Sequence, residues 1–180
     1  GYRVILYQSN ESVKNEINGV KTLLEAQVDG IIASMSLETE NVAHFEEVIK
    51  QQKPLLLFDR VHKNLNVPTV TLNDFKAGYM ATQHLIDQGY KRIAFITTIH
   101  QIKIFNDRLM GYKAALADNN LPVNENMIVY GGLSIKDGRF GAGKLLRSAQ
   151  KPDAIIAGDD FTALGVIKKL KETNLTPPQI

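Results

Sequence analysis

Three short runs without a polar residue, Leu55 to Phe58, Ile93 to Ile96 and Ala154 to Ala157, constrain the fold most. A strand apolar at every position is buried on both faces, and such strands belong to parallel sheets covered by helices. Helical spacing fills the intervals between them. Val13, Ile17, Val20 and Leu24 recur every three or four residues, with Asn10 as the expected N-cap. Val42, Phe45, Val48 and Ile49 mark a second helix, which stops before Pro54. Ala77, Ala81 and Leu85 mark a third, closed by Gly89. Leu109, Tyr112 and Leu116, then Leu145 and Leu146, then Leu164, Ile167 and Leu170 mark three more. Further strands are expected at Tyr2 to Tyr7, Asp29 to Ala33, Val70 to Leu72 and Met127 to Tyr130. Strands alternating with helices predict an α/β fold of βαβ units. The loop from Thr97 to Phe105 is the expected lobe boundary, dividing the chain into lobes 1–99 and 100–180.

Strand ends are where open α/β sheets bind ligands, so the charged residues there are the candidates. Asp59 and Arg60 end a buried strand. A carboxylate that accepts beside a guanidinium that donates in a fork can grip vicinal hydroxyls, or the two can form a local ion pair. Arg108 stands near a helix start, against the helix dipole, as a ligand contact or a solvated cation. Asp159 and Asp160 follow a buried strand and open a helix. One of them is expected to cap it, leaving the other for a cleft.

Other chemistry finds little support. Gly138 to Lys144 has the glycine and lysine spacing of a phosphate-binding P-loop, but Leu145 stands where Ser or Thr should hold magnesium. The preceding strand also ends too early, and Ser134 with Asp137 looks like a capping pair that places these glycines inside a helix. His44, His62, His84 and His100 lack metal-ligand spacing, and His44 and His84 read as surface or boundary positions on helices. No catalytic nucleophile with its base stands out, so no enzyme activity is expected, and neither a cofactor nor a metal. The chain has no cysteine, which excludes a disulfide framework and thiolate chemistry. A net charge of +2, from 21 basic and 19 acidic residues, is too balanced for a nucleic-acid surface. No stretch reaches the roughly 20 apolar residues of a membrane span, and because the sequence opens on the strand-like run Tyr2 to Tyr7 no signal peptide is expected.

In order, Gln27 to Ile32, Pro54 to Arg60, Leu72-Asn73-Asp74 with Ala77-Gly78, His84 to Ile96, Arg108 to Tyr112 and Gly158 to Gly165 resemble the effector-binding domain of lactose-repressor (LacI) family transcription regulators. That domain shares its fold with type-I periplasmic sugar-binding proteins. The resemblance covers nearly the whole chain. It implies a two-lobed periplasmic-binding-protein-like fold, each lobe a parallel sheet flanked by helices. It implies an effector held between the lobes, with contacts falling on Ser36, Asp59, Arg60, Arg108, Leu133 and Asp159. Leu133 stands where the family often has an aromatic ring, and an Asp-Arg pair at 59–60 occurs in sugar-binding relatives, which points to a saccharide. It further implies a cytoplasmic homodimer that reads operator DNA through an N-terminal helix-turn-helix outside this chain. A first strand and helix are then expected before Tyr2 and more sensor domain after Ile180, with Thr176 to Ile180 leading into another strand. A periplasmic sugar-binding protein of a transport system is the alternative.

Overall fold

A computed structural model describes residues 1–100 and 102–175; the expected connection at Thr176 to Ile180 lies outside them. The chain divides into two compact units, Gly1–Leu72 and Asn73–Ile180. In the first, α1 (Val13–Glu25), β1 (Ile31–Ala33), α2 (Ala43–Lys50), β2 (Leu55–Phe58) and β3 (Thr69–Val70) follow one another. In the second, α3 (Asp74–Asp87), β4 (Ile93–Thr98), α4 (Lys103–Asp118), a 3-10 turn (Glu125–Met127), β5 (Ile128–Gly131), α5 (Ile135–Leu146), β6 (Ala154–Ala157) and α6 (Asp160–Glu172) do so. Among the described residues each unit has a three-stranded sheet, in the orders β1-β2-β3 and β5-β4-β6, and every pairing is parallel.

This division differs from the expected lobes 1–99 and 100–180. The reason is β4, which pairs with β5 and β6 on its two sides. Its unbroken apolar run is that of a central strand, and all six of its residues are buried. Helix α3 belongs with it, because α3 and α4 share one face of that sheet.

The second unit carries a core on each side of its sheet. Phe95, Tyr112, Leu116 and Ile128 pack on the α3–α4 side. Ala94, Ile96, Val129, Leu145 and Val166 pack on the α5–α6 side. Tyr112 is fully buried and its hydroxyl donates to the Ile93 carbonyl at 2.8 Å. Burial, with the charge of Glu125, pushes its phenol up to about 12. The first unit has a single core around Phe45, Val48, Leu57, Val20 and Met35.

Glycines set how closely the helices approach. A Cβ on Gly78 of α3 would overlap the Arg108 carbonyl of α4, and one on Gly111 of α4 would overlap the Phe75 carbonyl of α3. Helices α5 and α6 repeat the device: Gly138 faces the Thr162 carbonyl, and Gly165 faces the Ile135 carbonyl. The P-loop-like spacing is therefore helix packing, inside α5, with the capping box of Ser134 and Asp137 at its start.

Three local expectations fail. Tyr2 to Tyr7 joins no sheet; Tyr2, Val4 and Leu6 are exposed. A strand exists only through its ladder, and none of the described strands pairs with this run. Asn10 does not cap α1: it has a left-handed backbone with φ 51°, and Ser12 precedes the helix. The face of α1 is also rotated. Ile17 is exposed, while Glu16, Gly19, Val20 and Leu24 are buried. The C-terminal end of α3 is as expected, with Gly89 at φ 92°.

In an open helix, glycine to alanine stabilises by about 1 kcal/mol. At these crossings the sign should reverse. Gly111→Ala is expected to lose about 1–3 kcal/mol in urea unfolding, through overpacking; an unchanged or raised midpoint would refute the close-approach account.

Candidate functional site

In the first unit the strands β1 and β2 end at Ala33 and Phe58, and their following loops carry Ser36, Asp59 and Arg60. The structure brings these residues together. The Met35 amide donates to the Arg60 carbonyl at 3.3 Å, joining the two loops. Asp59 turns the chain with φ 57°, and its amide donates to the Val70 carbonyl at 3.0 Å. Its side chain is exposed.

Arg60 does not pair with its neighbour Asp59. Its fork donates to both oxygens of Glu11, at 2.9 and 2.8 Å. Glu11 also accepts from the Leu37 amide at 2.9 Å. The adjacent amide, Ser36, donates to Glu16 at 2.5 Å. Two carboxylates thus hold consecutive amides of the loop between β1 and α2. Glu16 accepts further bonds from the Thr39 hydroxyl and from His44 Nε2, both at 2.7 Å.

Glu16 is only 6% exposed. Burial pushes its carboxyl up and is the largest single influence, but the bonds from His44, Thr39 and Ser36 together outweigh it. They hold the group below its ordinary 4.5. His44 is a boundary residue rather than a surface one: the residue is half-buried and its side chain is 7% exposed. Sequence reasoning missed Glu11, Glu16 and His44. The available signal was a glutamate on the apolar stripe of α1, four residues before Val20, and a histidine four residues before Val48 on α2.

In the second unit Arg108 comes from α4, and Asp159 follows β6. Arg108 Nε donates to Asp74 at 2.9 Å, and Nη1 donates to the Gly158 carbonyl at 2.7 Å. Its guanidinium lies 5.6 Å from the Phe105 ring centroid. Asp74 is buried, at 6% exposure, so Arg108 is its neutralising partner rather than a solvated cation. Asp159 is the N-cap of α6, accepting from the Thr162 amide at 2.7 Å, and Asp160 is the first helical residue. Arg108, Gly158, Asp159 and Asp160 line a cavity of about 530 Å³ whose other walls are mostly apolar, including Leu85, Ile155 and Ile167. Leu133 is half-buried in the loop before α5 and is not among the residues that line it.

Two units, each a parallel sheet flanked by helices, define the class: two-lobed α/β folds of the periplasmic-binding-protein type. Over residues 1–180 the chain matches the family described as periplasmic binding proteins and sugar binding domain of the LacI family, and it belongs to that family. It is 35% identical to catabolite control protein A of Priestia megaterium over 98% of this chain, and 29% identical to the ribose operon repressor of Haemophilus influenzae over 99%. It spans 53% of each of those relatives. The crystal structure of transcription regulator CcpA of Lactococcus lactis superposes with a TM-score of 0.83 at 26% identity, covering 97% of this chain and 63% of that one. These relatives are regulators, not enzymes. Among the described residues no helix is long and apolar enough to cross a membrane.

Two outcomes follow from these contacts. Arg108→Ala strips a buried carboxylate of its partner, and is expected to cost about 3 kcal/mol in urea unfolding. Asp74→Asn in the same chain should recover part of that loss; a cost below about 1 kcal/mol would mark the pair as no better than a surface one. Glu16 titrates lower in the folded chain than in the unfolded one, so its contribution is complete above pH 4.5 and fades as pH falls through the lower folded value. The stability gap between the wild type and Glu16→Gln should therefore narrow below pH 4.5. A gap independent of pH in that range would contradict the assignment.

Proposed function

We propose that this chain is the effector-sensing domain of a LacI-type transcriptional regulator, a repressor, binding a small sugar-like ligand between its two lobes. Arg108, Asp159, Asp59, Arg60, Ser36 and Leu133 are its contacts. The observation that carries the reading is that Arg108, bonded to the Gly158 carbonyl, and the Asp159 carboxylate line one largely apolar cavity that runs along β6. Convergent polar groups in an apolar pocket are how small ligands are oriented. The name of the ribose operon repressor of Haemophilus influenzae supports a saccharide as the ligand.

Arg60 enters with its fork already on Glu11. A ligand there meets Asp59 first and Arg60 as a fixed neighbour. Binding that favours one arrangement of the lobes shifts the population toward it. Coupling of that kind is typically about 1–3 kcal/mol and is reciprocal between effector and DNA. The DNA-reading part, the homodimer and the cytoplasmic location belong to the same proposal. The second reading, a periplasmic sugar-binding protein, is kept because the matching family includes such proteins. The regulator names of the relatives weigh against it.

Calorimetric titration with D-ribose, D-glucose and D-galactose tests the proposal, comparing wild type with Asp159→Asn and Asp59→Asn. Asparagine still caps α6, so the first variant removes charge without removing the helix stop. Loss of a charge-assisted hydrogen bond is expected to weaken binding by about tenfold or more. No binding of any of these sugars, or equal affinities in both variants, would count against the site.

A further inference from the structure

The cluster around Glu16 fixes the direction of every hydrogen bond in it. A carboxylate only accepts, so the Ser36 amide, the Thr39 hydroxyl and His44 Nε2 all donate to Glu16. Thr39 has one hydroxyl proton, and it goes to Glu16. In its 2.7 Å contact with Ser36 Oγ, Thr39 can then only accept, and Ser36 is the donor. The chain of protons runs from Ser36 to Thr39 to Glu16. What Ser36 Oγ retains for any other partner is lone pairs.

We infer that Glu16, acting through Thr39, makes Ser36 an acceptor-only group, so that the part of the effector meeting it is a hydroxyl that donates. An ether oxygen or a carboxylate would be refused there. This rests on the reading that Ser36 contacts the effector. Glu16 is a positioning residue in it: it sets both the Ser36 amide and, one hydroxyl removed, the polarity of the Ser36 side chain. Discrimination of this kind is strong because a mismatched group leaves a polar atom unpaired.

Glutamine at position 16 reverses the chain without changing its shape. Its oxygen takes the Ser36 amide in place of one carboxylate oxygen. Its NH2 takes the place of the other, which now accepts from both Thr39 and His44. The two amide protons then donate to Thr39 and to His44 Nε2. Thr39 turns its proton to Ser36, and Ser36 is free to donate outward.

The test uses the full-length protein and two readouts. The first needs no ligand: 15N NMR of His44 at pH 8.5. Wild type should carry the proton on Nε2, and Glu16→Gln should move it to Nδ1. The second is titration with D-ribose and its monodeoxy and monodeoxyfluoro analogues. In wild type, the analogue altered at the hydroxyl facing Ser36 should bind about tenfold or more weakly, with fluorine no better than hydrogen, because neither donates. In Glu16→Gln the fluoro analogue should recover most of that loss. Thr39→Val offers a second route should Glu16→Gln fold poorly: it frees the Ser36 proton, gives the same fluoro recovery and leaves His44 protonated on Nε2. A wild-type His44 protonated only on Nδ1, or a fluoro penalty identical in all three proteins, overturns the inference. Should wild type bind neither D-ribose nor its analogues, the effector reading fails for this sugar, and the His44 tautomer alone decides the direction of the chain.

Discussion

The second unit depends on how closely α3 and α4 approach. Gly78 lets α3 lie against the backbone of Arg108 itself, and Gly111 lets α4 lie against Phe75. With side chains at either position the axes would part. Asp74 lies one turn before Gly78, so the same crossing that presses α3 onto Arg108 delivers the Asp74 carboxylate to its guanidinium. The other arm of Arg108 reaches the Gly158 carbonyl, at the end of the neighbouring strand β6. A backbone contact thus fixes an ion pair, and the ion pair fixes the loop that carries Asp159. The twin crossing of α5 and α6 supports the other end of that loop, because Gly138 packs on Thr162, whose amide the Asp159 carboxylate caps.

The first unit solves a similar problem with carboxylates. The loop between β1 and α2 has no ladder to hold its amides. Glu11 and Glu16, either side of the start of α1, accept from Leu37 and Ser36. Glu38 returns the favour by accepting from the Val13 amide at the first turn of α1, at 3.1 Å. Loop and helix start are mutually capped. Burying Glu16 is costly in isolation, and it is tolerated because three donors converge on it.

The architecture was legible because it rests on apolar patterning. The runs at Leu55, Ile93 and Ala154 are unbroken, and unbroken runs mean central or doubly covered strands. Gly89 and the Ser134–Asp137 pair act through their own backbone, so they too could be read locally. The division at Leu72 was not legible, since it depends on which strands flank β4. Tyr2 to Tyr7 has strand chemistry without a partner, and chemistry alone does not make a ladder. Arg108 and Asp159 were legible as candidates from their positions near a helix start and after a strand. The cap of Asp159 on the Thr162 amide was legible too, but Asp74 was not, because it reaches Arg108 by a tertiary contact that no spacing announces. His44 looked peripheral because its partner Glu16 lies 28 positions earlier.

The cap on α6 has a mechanical consequence. The Asp159 carboxylate is fastened to the first turn of the helix through the Thr162 amide. It is therefore not a side chain free to swing toward whatever approaches it. Anything that pulls on this carboxylate pulls on a rigid rod of thirteen residues along its axis. A displacement of a fraction of an ångström at Asp159 becomes a displacement of the far end of α6 at Glu172, with no intervening joint to absorb it.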